Sequence, residues 1–74
     1  MATLLDIKTE ITGNVWKVLL EAGSQVSEGD TIMILESMKM EIPVNATENG
    51  VVKEILVKEE DTVTEGTVVA RIKV

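Results

Sequence analysis

An internal repeat with a period of 37 residues constrains the fold of this chain more than any other feature. When residues 13–35 are aligned with residues 50–72, six of the 23 paired positions are identical. Two copies are too few for a solenoid, and two similar halves that each bury one apolar face are expected to close against each other as a pseudo-twofold sandwich. The identical pairs are Gly13 with Gly50, Val15 with Val52, Leu19 with Leu56, Val26 with Val63, Glu28 with Glu65 and Gly29 with Gly66.

Each copy of the repeat is predicted to be β-structure. Residues 51–57 and 67–72 are short runs rich in β-branched side chains and bounded by turn formers, as is typical of strands. The apolar residues Val15 and Val18 are three positions apart, so strict alternation breaks and a β-bulge is expected between them and at the equivalent place in the second copy. Turns are expected at Gly13-Asn14, Gly23-Ser24, Glu28-Gly29-Asp30, Asn49-Gly50 and Glu65-Gly66.

The composition limits the chain to one small domain and excludes several classes of site. A length of 74 residues predicts a single domain, residues 1–74, which buries roughly 60% of its unfolded surface. The absence of cysteine and histidine excludes zinc sites and histidine-assisted nucleophiles, and no other metal site is expected. The formal net charge of −6 argues against nucleic acid and anionic membrane as partners. No signal peptide or membrane-spanning run is visible, so a cytoplasmic location is expected.

Residues 32–41 are the one segment that resists a β interpretation. They contain good helix formers, and no glycine, proline or asparagine marks a turn before Pro43. The repeat nevertheless makes residues 32–35 the counterpart of the strand-like residues 69–72, and the segment around Pro43 fits an edge strand. We therefore predict a strand, a tip near Met38 and Lys39 where the chain reverses, and a second strand.

Lys39 lies within residues 36–41, of sequence ESMKME, at the midpoint of the repeat. An ordinary lysine has a pKa of about 10.4 and is a poor nucleophile at neutral pH. It forms a covalent bond when burial activates it, or when an enzyme presents it to an activated acyl group. Glu36 and Glu41 favour the ammonium form, which leaves the second route. Elsewhere, the only aromatic residue, Trp16, is expected to serve in packing rather than as a binding platform.

These features together resemble the biotinyl/lipoyl attachment domain, and in particular its biotin carrier branch. The most specific part of the resemblance is Met38-Lys39-Met40, with the acid Glu36 three residues before the lysine, lying between the two copies of the repeat. The resemblance covers nearly the whole chain. It also rests on the patterns Val26-x-x-Gly29-Asp30, Gly50-x-Val52-x-x-Ile55-x-Val57 and Val63-x-x-Gly66.

The resemblance implies an all-β fold, a flattened barrel or barrel-sandwich hybrid of two four-stranded antiparallel sheets with pseudo-twofold symmetry. The lysine is then expected on an exposed hairpin at one end, with the chain termini close together at the other. A biotin protein ligase is expected to make biotinyl-adenylate and transfer its acyl group to Lys39. The biotinylated chain, with no catalytic activity of its own, would carry carboxyl groups between the biotin carboxylase and carboxyltransferase components of a carboxylase.

The resemblance also assigns Met38, Met40 and Glu36 to recognition by the ligase. The two methionines have an alternative place in the core, because methionine often fills gaps between aliphatic side chains. Glu36 has an alternative as an ordinary solvated acid.

The chain departs from the usual family pattern at a few positions. Thr12 and Asn49 stand where proline is frequent, and Glu60 stands where glycine is frequent. If the turn at Glu60 requires a positive φ, a residue with a side chain is strained there by about 1 kcal/mol or more. The thumb-like loop of some acetyl-CoA carboxylase carriers is also missing, so the acceptor substrate is not indicated.

Two other functions fit the same resemblance. In a lipoyl carrier, a lipoyl ligase attaches lipoate to the same lysine, but such domains usually have Asp-Lys-Ala at the tip, and Met38 and Met40 argue against this. The shared fold and Glu36 leave modification by both groups open. The third alternative, an unmodified barrel-sandwich interaction module, is disfavoured by the presence of Lys39.

Overall fold

A computed structural model describes residues 3–74, and in this range the protein consists of strands and the turns between them. The predicted all-β class is confirmed, and the described residues include no helix that could span a membrane. The strands are β1 (Leu4–Lys8), β2 (Gly13–Val18), β3 (Gln25–Val26), β4 (Thr31–Ser37), β5 (Met40–Asn45), β6 (Gly50–Ile55), β7 (Thr62–Val63) and β8 (Val68–Lys73).

The eight strands form two four-stranded antiparallel sheets, as expected. Sheet A has the strand order β1-β8-β6-β3, and sheet B has the order β5-β4-β2-β7. Each sheet therefore takes two strands from each copy of the repeat, so the two halves interleave rather than forming one sheet each. Four of the six strand pairings, β1 with β8, β2 with β7, β3 with β6 and β4 with β5, join one half to the other.

The core between the sheets follows the sequence repeat residue by residue. Every buried residue has a buried counterpart 37 positions away, and apart from Thr9 all of them are apolar. Aliphatic side chains and one methionine fill this core without any aromatic ring, as the composition predicts. The seven pairs are Ile7 with Val44, Thr9 with Ala46, Val15 with Val52, Val26 with Val63, Ile32 with Val69, Met33 with Ala70, and Leu35 with Ile72.

The predicted β-bulges are present in both halves. In β2 the register with β4 shifts between Val15 and Lys17, so that Trp16 is the extra residue. In β6 the register with β8 shifts between Val52 and Glu54. Each bulge moves the following residues by one position, which is why apolar side chains three apart in sequence both approach the core.

Gly13 and Gly50 do not form the turns expected of them. Each is the first residue of a strand, and the preceding residues make the bend. Glycine is required there because the strands come very close together. A Cβ on Gly13 would lie 2.5 Å from the carbonyl oxygen of Glu36, and a Cβ on Gly50 would clash with the carbonyl oxygen of Lys73. The sequence pattern identified the right two residues. Glycine is needed there because a Cβ has no room, and not because of a turn conformation.

Thr12 and Asn49, which stand at positions where the family pattern frequently has proline, each form a hydrogen bond between the two halves. The Thr12 hydroxyl oxygen accepts a hydrogen bond from the backbone N–H of Glu65 at 3.0 Å. In the symmetry-related place, the Asn49 side-chain oxygen accepts one from the N–H of Glu28 at 2.7 Å. A side-chain acceptor therefore fixes a turn of the opposite half at each end of the molecule.

Glu60 adopts the strained conformation that its position suggests. Its φ is +79°, and that of its counterpart Gly23 is +96°. An L-residue with a side chain is disfavoured in this region, so the second half carries a local strain that glycine relieves in the first half.

Thr3 and Val74 lie at the opposite end of the molecule from the β4–β5 turn. The backbones of Thr3, just before β1, and Val74, just after β8, exchange hydrogen bonds of 3.2 and 2.9 Å. The beginning of β8 is at the other end, where Thr12 contacts both the Glu65 turn and Ser37, the last residue of β4. This arrangement agrees with the expected separation of termini and tip.

Candidate functional site

The candidate site is the two-residue turn that joins β4 to β5. Ser37 and Met40 form the last pair of the hairpin, so Met38 and Lys39 alone make the loop. Their φ values are +51° and +68°, and positive values at both central positions define a type I′ turn. The predicted reversal near Met38 and Lys39 is confirmed.

This turn is strained by its own residues. Type I′ turns favour Asn-Gly or Gly-Gly, and a non-glycine residue in the left-handed region costs of order 1–3 kcal/mol. The flanking ladder of β4 and β5 holds the turn in place, and the Ser37 hydroxyl donates a hydrogen bond of 3.0 Å to the carbonyl oxygen of Thr12. The hairpin thus imposes this turn on residues that carry no turn preference.

The side chains of the turn point into solvent. Met38 is 93% exposed, Met40 is 63% exposed and Lys39 is exposed as well. The alternative place for the methionines in the core is therefore wrong. Within residues 3–74 the ion pairs involve only Arg71, so the Lys39 ammonium has no carboxylate within 4 Å.

Glu36 lies on the outer face of sheet B, three residues before the lysine. It pairs directly with Glu41 across the hairpin and with Asn14 on the other side. The alternating neighbours Val15 and Leu35 point into the core, so Glu36 faces solvent. The structure thus brings all four predicted site residues, Glu36, Met38, Lys39 and Met40, to one end of one hairpin.

Trp16 is not the packing residue that we expected. It is 43% exposed, lies on the β2 bulge and is absent from the core cluster. The bulge is the reason, because it turns the indole outward while Val15 stays buried. The spacing of apolar residues by three positions predicts the bulge. It does not predict which side chain the bulge turns into solvent.

The arrangement suits covalent attachment of a group to the lysine amine. A primary amine at a rigid tip can be acylated by another protein, since no surrounding wall limits access to it. Among the described residues no group of three or more acidic side chains is placed to hold a metal ion. A cofactor joined by an amide to the amine fits this site, because the only requirement is an accessible lysine.

The chain matches known proteins over almost its whole length. The biotin/lipoyl family model described as "Biotin-requiring enzyme" matches residues 6–72. The "Biotin/lipoyl attachment protein" of Bacillus subtilis (strain 168) is 48% identical over 64 residues, which are 86% of this chain and 88% of the relative. The "Biotinylated protein TB7.3 homolog" of Mycobacterium leprae (strain TN) is 40% identical over 65 residues, which are 88% of this chain and 92% of the relative.

A solved structure extends the similarity to three dimensions. The urea carboxylase of Kluyveromyces lactis matches with a TM-score of 0.90 and 40% identity. The match covers 95% of this chain but only 6% of the carboxylase, so the likeness is to one small part of that protein.

Proposed function

This chain belongs to the biotin/lipoyl attachment family, and from that membership we propose that it is a covalent biotin carrier modified at Lys39. It is homologous to the biotinyl domains of carboxylases. The observation that carries the assignment of the residue is the exposed type I′ turn that holds Lys39 between Met38 and Met40. The chain itself contributes an attachment point and no catalysis.

Attachment requires a lysine amine that can enter another protein's active site. The deprotonated Lys39 Nζ attacks the acyl carbon of biotin that a biotin protein ligase has activated as its adenylate. The amide C–N bond forms and the bond between the acyl carbon and the phosphate oxygen breaks. AMP leaves with the electrons of that C–O bond, and the amine loses one proton. The turn assists by presenting the amine, since Met38 and Lys39 are held by the hairpin and reach beyond the rest of sheet B.

Bound biotin supplies a group that accepts and donates carboxyl, which the protein side chains do not offer. The lysine and valeryl stems form a flexible tether, and a tether of this kind raises the local concentration of the carried group to about millimolar. The rigid sheet below confines motion to the stem. The partners in this proposal are the ligase and, in trans, biotin carboxylase and carboxyltransferase components, in the cytoplasm, with residues 1–74 acting as one domain.

Met38, Met40 and Glu36 are proposed as recognition elements for the ligase. Both methionines are large apolar side chains kept in water, which costs free energy unless a partner covers them. Glu36 adds a charge on the side of the hairpin. Lipoate is the second candidate cofactor, because the B. subtilis relative is named for both groups.

Intact mass after co-expression tests the proposal directly. With a biotin protein ligase, we expect the mass of one biotinyl group per chain and retention by avidin. With a lipoyl ligase, we expect no added mass or only a minor lipoylated fraction. Unmodified protein in both experiments would show that the chain is an interaction module without a cofactor.

A further inference from the structure

The outer faces of the two sheets can be compared position by position, because the 37-residue repeat relates them. Strands β1, β8, β6 and β3 of sheet A correspond to β5, β4, β2 and β7 of sheet B. Only sheet B continues into the turn that carries Lys39. Any difference between the faces therefore distinguishes the side next to the modified residue from the side away from it.

Sheet A engages both of its acidic side chains in ion pairs. Arg71 of β8 lies in register between Asp6 of β1 and Glu54 of β6, and its guanidinium donates to the two carboxylates at 3.0 and 2.7 Å. The hydrogen bond to Glu54 and, second in size, the hydrogen bond to Asp6 raise the pKa of Arg71 above its ordinary value. The other charged side chains on the strands of sheet A are Lys8, Lys53 and Lys73, which are exposed and in no ion pair, so this sheet does not attract a basic surface.

Sheet B has no such ion pairs. The counterparts of Asp6, Arg71 and Glu54 are Pro43, Ile34 and Lys17, so the middle of the face is largely apolar. Nearer the turn, Glu36 stands directly opposite Glu41, and like charges in that position destabilise a sheet. Among residues 3–74 neither carboxylate has a basic partner within ion-pair distance.

Trp16 adds a large aromatic surface to the same face. It occupies the position of Lys53 in sheet A, and it borders a shallow depression of about 610 Å³ shared with Glu36 and Glu59. The Lys17 ammonium lies 5.8 Å from the centre of the indole ring, which limits the ring's freedom. A Glu59 carboxylate oxygen accepts a hydrogen bond from the N–H of Val18 at 3.2 Å and is held beside it.

We propose that the outer face of sheet B is the docking surface for the biotin protein ligase, with Trp16 as its apolar anchor and a basic surface on the ligase facing Glu36, Glu41 and Glu59. This rests on the proposed function. Charge complementarity selects the occupant, since unpaired carboxylates attract a cationic surface and raise the association rate. An exposed tryptophan beside them is the residue type that most often dominates binding energy once it is covered.

The position of the face supports the same partner. A ligase that takes Lys39 into its active site must also lie against the strands that lead to the turn, and these are β4 and β5 of sheet B. Sheet A is joined to the turn by no strand, and the charged side chains outside its ion pairs are lysines, which would repel a basic surface.

Steady-state biotinylation of the full unmodified chain at low and high salt tests the docking surface. For Trp16→Ala we expect the KM for the carrier to rise about tenfold with kcat nearly unchanged. For Glu59→Gln, which keeps an oxygen for the Val18 N–H, we expect a rise of about threefold and a weaker dependence on salt.

Matched controls remove comparable groups from other surfaces. Lys53→Ala changes the symmetry-related position on sheet A, and Glu28→Gln removes one exposed acid from the end opposite Lys39. Both are expected to keep KM within twofold of the unaltered chain. Circular dichroism is recorded for every variant, and Glu59→Gln still decides the question if Trp16→Ala is not folded.

The outcomes separate the two proposals. If the unaltered chain is biotinylated while the folded Trp16→Ala and Glu59→Gln variants keep its KM, docking on sheet B is wrong and the carrier function stands. If Lys53→Ala raises KM as much as Trp16→Ala does, the ligase does not distinguish the faces, and docking on sheet B is again wrong. If the unaltered chain takes no biotin, the proposed function itself fails.

Discussion

Lys39 owes its exposure to two residues in left-handed backbone conformations. The sequence indicates the reversal only through the repeat, because neither Met38 nor Lys39 favours a type I′ turn. The identity of the lysine and its neighbours follows from the motif, whereas the conformation is imposed by the pairing of β4 with β5. A prediction based on turn-forming residues alone would therefore miss the turn at Met38 and Lys39.

Lys39→Arg should abolish modification without disturbing the fold. The guanidinium keeps the charge but does not act as the nucleophile at neutral pH, because it stays protonated. We expect avidin binding after co-expression with the ligase to fall at least ~100-fold, with an unchanged β-type circular dichroism spectrum. Persistent labelling of this variant would assign the biotin to another lysine.

Replacing the methionines should weaken recognition by the biotin ligase. In the double variant Met38→Asp and Met40→Ala the tip has the Asp-Lys-Ala sequence frequent in lipoyl domains, and two exposed apolar contacts are lost. We expect the biotinylation rate to fall about tenfold and lipoylation to increase, as measured by intact mass after incubation with each ligase. Equal biotinylation rates would show that the methionines play no part in ligase recognition.

Glu60→Gly should stabilise the protein. Relief of the strain at φ +79° outweighs the added entropy of the unfolded chain, giving a gain of about 0.5–1 kcal/mol in the free energy of unfolding. The reverse change at the symmetry-related site, Gly23→Glu, should cost a similar amount. Urea denaturation measures both, and a loss of stability in Glu60→Gly would contradict the strain argument.

The strands and their bulges were predictable because local sequence carries that information. Apolar residues three apart revealed both bulges, and the repeat identified β4 despite its helix-forming residues. Which strands become neighbours was not predictable, since a repeat of two units fits both separate and interleaved sheets. The ion pairs of Arg71 depend on the shifted register after the β6 bulge, which sequence separation does not reveal.

Gly13→Ala tests the close approach of β2 and β4. The new methyl group would meet a backbone carbonyl of the neighbouring strand, which cannot move aside as a flexible side chain could. We expect a loss of about 1–3 kcal/mol in the free energy of unfolding, measured by urea denaturation. The adjacent change Asn14→Ala, which loses only an exposed hydrogen bond from the Thr62 hydroxyl, serves as the control and should cost no more than about 1 kcal/mol.

Interleaving makes the two halves depend on each other. Four of the six strand pairings cross between halves, so neither half retains a complete sheet by itself. A chain of 74 residues has a small core, and dividing that core leaves too little buried surface for either part.

Recombinant fragments 1–38 and 39–74 should therefore be unfolded separately and fold when mixed. We expect each fragment to give a disordered circular dichroism spectrum, and the equimolar mixture to recover the β spectrum with a midpoint that increases with concentration. A β spectrum for one fragment alone, at a concentration where it is monomeric, would contradict this dependence. The cut falls between Met38 and Lys39, where no ladder hydrogen bond is lost.

Thr3 and Val74, which are hydrogen-bonded to each other, lie at the end of the molecule opposite the lysine. Any polypeptide spliced onto either of them would leave the tether unobstructed. This placement is compatible with a carrier that is a separate protein and with one that forms part of a large enzyme, as the match to one small part of the K. lactis urea carboxylase illustrates. Evolution could move such a module between proteins by joining genes, without redesigning the arm.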